Sequence, residues 1–470
     1  MPSDRGDGAH LAPADEILDG PSLSRHLEEA AALIENAEII CGIPSYNNSN
    51  TIANVVRAVE AGLRRRFPDV PTAIVISDGS SGDGTMQAAI DATTVGEEEP
   101  MLISASAPIP QRLAIRYRGI SGKGSAFRTI FTLAEMTSAR AIAVFDADLR
   151  SITPHWVENL VAPVIEHGQD FVAPVYARHK YDGTITNAIA FPLTAALYGV
   201  KLRQPIGGEF GFSRELASHW SRQAVWATDV ARYGIDIWMT TVALTEGFRV
   251  AQANLGAKVH DPKDPGSHLA PMFRQVVGSL FALAGRYVPR WHDIESMGSV
   301  PTYGFRAVTT AEDVRVRAGR LTWRFIEGYM RYEKLWREIL APSTMAEVSH
   351  ATDQAAERTE GFALPAELWA QVVYDYLVAY NAKMFDVSLL LDSMIPLYFA
   401  RTATFVHEAR GDDQDAAEER IERYAKLFME RKPYLRARWD EVGVQRSLAE
   451  QRVTPEGDEP EAEELGAQSA

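Results

Sequence analysis

Between residues 39 and 150 the apolar positions along the chain change period several times. Short runs rich in small and β-branched residues, "AEIICGIP", "TAIVISDG" and "AIAVF", read as buried strands. They alternate with longer stretches in which apolar residues recur at three and four, "NTIANVVRAVEAGLRRRF", "GTMQAAIDA" and "SAFRTIFTLAEM", which read as helices, with a basic loop before the third. That alternation predicts a mainly parallel sheet covered by helices on both faces. Further on, "RVAQANLGAKVH" reads as one more strand. From about residue 310 the helical period takes over in "LTWRFIEGYMRYEKLWREIL", "ELWAQVVYDYLVAYNAKMF" and "AEERIERYAKLFMERKPYLRARW". The pattern predicts an α/β domain followed by a helical carboxyl region, without internal repeats.

Ligands on such sheets bind beyond the carboxyl ends of the strands, where "PSYNNSN", "SDGSSGDGT" and "DADLRS" lie. Asp146 and Asp148 close the run "AIAVFDAD". On an extended backbone they would share a face, close enough to repel each other unless a cation lay between them. Thr153 and Pro154 behind them read as a helix cap and first helical position. Upstream, "SGKGS" sets Lys123 between two glycines at a helix start, where an ammonium and backbone amides could face an anion; Gly124 directly after it excludes a P-loop. In "RQPIGGEFGF", Gly207 and Gly208 precede Glu209 in what reads as a polar insertion between helical segments. Asp236 opens a strongly apolar helix, where a dipole or cap role weighs about as much as a catalytic one. His260, ending a strand, would join the two carboxylates in a mixed oxygen and nitrogen site for Mg²⁺ or Mn²⁺.

Composition narrows the partners. The 470 residues, 46% hydrophobic and 23% charged, are ordinary for a globular chain, and the net charge of -16 disfavours nucleic acid or an anionic membrane as a general partner. Cys41 is the only cysteine, so no disulfide forms within the chain, as expected of a cytoplasmic protein. The amino end lacks a signal-peptide core, and "AIAFPLTAALYGV", the nearest approach to a membrane span, falls short of the ~18–20 residues needed. The expected layout is a flexible leader at 1–21, the α/β domain at 22–300, the helical region at 301–445 and a disordered acidic tail at 446–470. Self-association is left open, a homo-oligomer included.

As an ordered set, "GKG", "DAD", "QPIGGE", "YGID" and "KVH" resemble nucleotide-sugar-dependent glycosyltransferases of the GT-A fold. The resemblance is greatest to the retaining enzymes that make mannosylglycerate, glucosylglycerate and glucosyl-3-phosphoglycerate, and it runs from about Ile39 to Gln275. It implies a Rossmann-like nucleotide-sugar domain and a divalent metal held by Asp148 and His260, with Asp146 on the ribose or a metal-bound water. Pro44 and Asp78 would line the nucleotide pocket, Lys123 would meet the diphosphate, and Gly208 would approach the nucleotide sugar. Glu209 and Asp236 would serve catalysis near the transferred sugar. In "PVYARHKYDGTITN", Arg178, Gly183 and Thr186 match positions that hold a glycerate-type acceptor. Thr184 stands where phosphoglycerate-using relatives carry an arginine, which favours free glycerate, although Arg178, His179 and Lys180 together could receive a phosphate. Glucose is taken ahead of mannose, no residue here reading the configuration at C2.

Rival readings have weaker support. Phosphohydrolases with an aspartate pair place it on their first strand and follow it with Gly and Thr, whereas Leu149 and Arg150 follow here. A non-catalytic sugar-nucleotide-binding protein would differ in releasing no product. The short polar acceptor loop argues against a polymer acceptor, and the lack of an evident membrane segment against a lipid.

Overall fold

The structure, a computed structural model, describes residues 21–92, 109–117, 119–259, 265–306, 314–357 and 362–453. Its centre is an eight-stranded sheet. Strands β1 (Ile39–Ser45), β2 (Thr72–Asp78), β3 (Gln111–Arg116) and β4 (Ala141–Val144) are followed by β5 (Phe171–Ala177), the two-residue β6 (Val200–Lys201), β7 (Phe210–Ser213), β8 (Val250–Ala257), β9 (Gly298–Ser299) and β10 (Thr302–Tyr303). The order across the sheet is β10-β8-β5-β7-β4-β1-β2-β3, with β6 and β9 paired separately. All neighbours in the large sheet run parallel except β7, which lies antiparallel between β4 and β5. Helices Ile52–Arg66 and Pro154–His167 pack together on one face, over a core that includes Ile43, Val55, Ile76 and Trp156. Lys123–Met136, Ile235–Thr245 and the carboxyl-terminal helices share a larger core on the other.

Two segments differ from the sequence expectation. The basic loop ahead of Lys123 contains β3, an edge strand that the charges at both ends of "QRLAIR" disguise. The insertion after Gly208 is no interlude between helices: Phe210–Ser213 is a central strand, its Phe210 and Phe212 wholly buried. Thr153 does occupy the N-cap position with Pro154 in the first turn, though its hydroxyl makes no capping bond.

The carboxyl region consists of helices Ala318–Ile339, Pro342–Ala356, Ala366–Asn381, Val387–Glu408 and Gln414–Val453. The last continues eight residues into the segment expected to be disordered; the remainder of that tail, and most of the expected leader, lie outside the described residues. Among the described residues one helix, Val387–Glu408, is long and apolar enough by composition to cross a membrane. The sequence reading overlooked it, and 72% of its apolar window is buried within this fold, as in a core helix.

Candidate active site

The parallel register brings the carboxyl ends of β1, β2 and β4 side by side, Ser45 against Asp78 and Gly42 against Val144. Beyond them opens a cleft of about 410 Å³. Pro44, Ser45, Tyr46 and Asn48 form one wall; Asp146, Ala147 and Asp148 form the floor; Tyr117 and Ser121–Lys123 form the opposite side. Arg232, Tyr233 and Gln275 reach in from more than a hundred residues beyond Lys123's turn in the sequence, and sequence reasoning did not find them.

The loop "SDGSSGDGT" plays a different part from the one expected. Asp78 has no exposed surface and does not line the cleft. Its carboxylate accepts hydrogen bonds from the Ser45 hydroxyl at 2.9 Å and from the Ser81 amide and hydroxyl at 2.7 and 2.6 Å. Ser81, Thr85 and Asp83 in turn accept from the amides of Asn47, Asn48 and Ser49 at 2.8, 2.8 and 3.0 Å. The second loop therefore braces the first, and Asp78 holds Ser45, which does line the cleft.

Asp146 and Asp148 both reach the cleft, although the backbone turns between them instead of continuing as a strand. Lys123 stands 2.8 Å from Asp146 Oδ1 and 3.2 Å from Asp236 Oδ1. The glycines on either side of it are packing requirements. A Cβ at Gly124 would lie 1.9 Å from the Val230 carbonyl oxygen, and one at Gly122 2.5 Å from that of Ala231. Burial disfavours the Lys123 ammonium, but Asp146, Asp236 and Glu209 outweigh it, so the group is held above the ordinary lysine range.

A second lysine, Lys258 beyond the end of β8, completes the cluster. Its ammonium is 2.7 and 3.0 Å from the Glu209 oxygens, 3.1 Å from Asp146 Oδ2 and 2.9 Å from the Gly207 carbonyl. Gly208, at φ +96°, allows this close approach, since a Cβ there would sit 2.4 Å from Asp146 Oδ2. Glu209, expected to serve catalysis near the transferred sugar, is placed away from the cleft wall. Its side chain is wholly enclosed, bonded to Lys258, the Tyr176 hydroxyl and the Asp146 amide, and touches no part of the cleft. Burial pushes its carboxyl up to about 7 despite Lys258. Asp236 is likewise buried, behind Lys123 and off the cleft wall, and burial raises it too.

Arg178, Gly183 and Thr186 do come together. A Cβ at Gly183, whose φ is +63°, would lie 3.1 Å from Arg178 Nη1 and 3.9 Å from Thr186 Cβ. Arg178 lies over the Tyr176 ring at 4.8 Å with Lys258 over the same ring at 5.3 Å, so one tyrosine links the Arg178–Thr186 loop to the Asp146 cluster. Arg178 Nε is buried without a hydrogen-bond partner. Lys180, by contrast, donates to the carbonyls of Ala409, Arg410 and Asp412 at 2.7, 3.3 and 2.7 Å, which removes it as a phosphate receptor.

For a divalent metal the donor set fits in part. Asp146 and Asp148 supply two hard carboxylates in one floor, as Mg²⁺ or Mn²⁺ prefers. His260 lies outside the described residues, and among the described residues no three His, Cys, Asp or Glu side chains form a metal-sized group.

A mainly parallel sheet with one antiparallel central strand and a charged cleft over its strand ends defines a GT-A-like α/β architecture. The chain resembles the glycosylglycerate synthases of that fold. Residues 45–268, a little under half the chain, match the family described as mannosylglycerate synthase, GT domain. Among solved structures it is similar to glucosyl-3-phosphoglycerate synthase from Mycobacterium tuberculosis in complex with Mn²⁺, uridine diphosphate and phosphoglyceric acid, at 25% identity over 55% of this chain and 82% of that one, TM-score 0.39. The complex of the same enzyme with Mg²⁺ and uridine diphosphate gives 25% identity over 55% and 83%, TM-score 0.40. A curated relative, glycerate 2-kinase from Escherichia coli (strain K12), is 28% identical over 179 residues, 37% of this chain and 42% of that protein, so the chain spans less than half of its length.

Proposed function

We propose that this protein is a retaining glycosyltransferase that moves a hexose from a nucleotide diphosphate sugar to a glycerate-type acceptor. The observation that carries the reading is the meeting of Lys123, Asp146 and Asp148 in one cleft over the strand ends, within the segment that matches the synthase family. Residues 22–300 are taken as the transferase unit and 301–445 as its helical companion.

The leaving nucleoside diphosphate gains negative charge as the glycosidic bond breaks, and a fixed cation at that point lowers the barrier. Lys123 supplies one from the stiff start of its helix. Asp146 and Asp148, with His260, would hold a divalent ion, whose chemistry is to neutralise the same diphosphate. Tyr46, Tyr117 and Tyr233 offer ring faces for the base and ribose. Among the described residues the cleft wall contains no carboxylate beyond Asp146 and Asp148, so none of them offers a separate nucleophile for the opposite sugar face. We therefore favour attack by the acceptor hydroxyl from the leaving-group side, the departing phosphate taking its proton and an α-linked donor giving an α-linked product. Asp236 would orient that hydroxyl once Lys123 turns to the diphosphate.

Arg178 supports a carboxylate-bearing acceptor: its Nε and one Nη form the planar fork that a carboxylate matches, and the Nε is unpartnered. Free glycerate is favoured over 3-phosphoglycerate, because Thr184 offers no cation and Lys180 is engaged with carbonyls. The test is mass spectrometry of the purified chain against a matrix of nucleotide sugars, with glucose expected ahead of mannose, and the two acceptors. Transfer should vanish in Asp148→Ala. Near-normal turnover by that variant without added metal would sink the assignment, and equal use of 3-phosphoglycerate would overturn the acceptor preference alone.

A further inference from the structure

The loop assigned to the acceptor is fastened mainly to the carboxyl-terminal helices. Helix Val387–Glu408 ends where Lys180 donates to three carbonyls, of Ala409, Arg410 and Asp412, closing the helix with a cation as its dipole favours. The Tyr181 hydroxyl donates to the Val406 carbonyl at 3.3 Å, and the Gln414 amide reaches the Arg178 carbonyl. Inside the same helix, Tyr398, 2% exposed, shares a short hydrogen bond with the Thr184 hydroxyl. Below the loop, the π-helical turn Thr186–Ala190 is held by Trp369, whose indole donates to the Ala188 carbonyl at 2.7 Å. Arg203 ties Asn187 at 2.9 Å to Glu418 on the last helix.

We infer that the helical carboxyl region sets acceptor recognition, with Tyr398 a positioning residue that fixes the Arg178–Thr186 loop through Thr184. The inference rests on the acceptor reading given above. The donor cleft draws its walls from the sheet loops, the Lys123 turn, Arg232, Tyr233 and Gln275, and none of them from Val387–Glu408. Loosening the Tyr398–Thr184 bond should therefore weaken the acceptor and spare the donor.

The experiment uses the full chain with Tyr398→Phe, Thr184→Val and the double variant, each followed by separate KM values for the acceptor and for the nucleotide sugar. Loss of one buried hydrogen bond predicts an acceptor KM raised about fivefold in each single variant, with no further rise in the double variant. The donor KM and the affinity for nucleoside diphosphate by calorimetry should stay within twofold of wild type. An unchanged acceptor KM, additive single effects, or parallel rises in both KM values would overturn the inference while leaving the transferase reading intact. A wild-type chain that transfers no hexose to any glycerate-type acceptor would overturn both.

Discussion

Replacing Lys258 by methionine keeps the length and apolar stem of the side chain and removes only its charge and donors. Four acceptors lose one of their contacts: two Glu209 oxygens, Asp146 Oδ2 and the Gly207 carbonyl. Lys258 is 5% exposed and Glu209 wholly enclosed, so water cannot replace the lost contacts. Breaking a buried ion pair by removing one partner costs about 3–5 kcal/mol. Glu209 has an escape, however. Its carboxyl already stands at about 7, and proton uptake near neutral pH relieves the uncompensated charge at little cost. We therefore expect Lys258→Met to lose ~2–3 kcal/mol by urea melt at pH 7, below that range because Glu209 can take up a proton. Adding Glu209→Gln, which removes the unpaired charge while keeping an acceptor for the Tyr176 hydroxyl, should restore more than half of the loss. The reasoning is refuted if Lys258→Met stays within ~0.5 kcal/mol of wild type, or if the double variant is no more stable than the single one.

Gly124→Ala should cost several-fold in both expression yield and donor affinity, because its methyl would meet the Val230 and Ala231 backbone at 1.9–2.8 Å and push Lys123 off Asp146; a variant with wild-type melting and donor affinity would contradict that packing. Arg178→Lys should raise the acceptor KM at least tenfold with the donor KM unchanged, since an ammonium cannot reproduce the fork, as steady-state kinetics would reveal. Lys432 is 1% exposed, and burial, with Arg436 nearby, pushes its ammonium down to about 7 although it donates to the carbonyls of Ala196, Leu197 and Ile294. Unfolded lysine keeps its proton to the ordinary 10.5, so between about pH 7 and 10.5 the unfolded chain binds more protons and this group makes stability rise with pH. Lys432→Met should flatten that slope in melts at pH 7 and 9, and an unchanged slope would count against it.

Legibility in the sequence followed the reach of each interaction. Asp146 and Asp148 were readable because carboxylates directly after a buried strand are expensive without a cation, and both do face the cleft. The helices around Lys123 and from residue 318 onward were readable because their apolar period is local. Lys258 was not. A lysine beyond a strand end looks like any solvated lysine until Glu209, 49 residues away, comes within 2.7 Å. The same contact hid the setting of Glu209: a carboxylate after two glycines resembles an open site group, and its enclosure depends on Lys258 and Tyr176. The reason for Gly124 was equally out of reach, since the backbone it meets is that of Val230 and Ala231, more than a hundred residues on. The short strand β7 hid its role because four residues have too little period to separate a strand from a turn.

The charge arrangement without ligand bears on how a diphosphate would be received. Lys123 and Lys258 face three carboxylates, Asp146, Asp236 and Glu209, and burial raises both Asp236 and Glu209, the latter to about 7. Lys123 bridges Asp146 and Asp236, and these carboxylates keep its own proton in place. A cation maintained in this way costs no protonation step when an anion arrives; it has only to exchange carboxylate contacts for phosphate ones. The exchange would leave Asp236 without its cation, which in our reading is the moment it becomes available to an acceptor hydroxyl. On that proposal, acceptor engagement by Asp236 would be coupled to occupation of the donor site through one ammonium group.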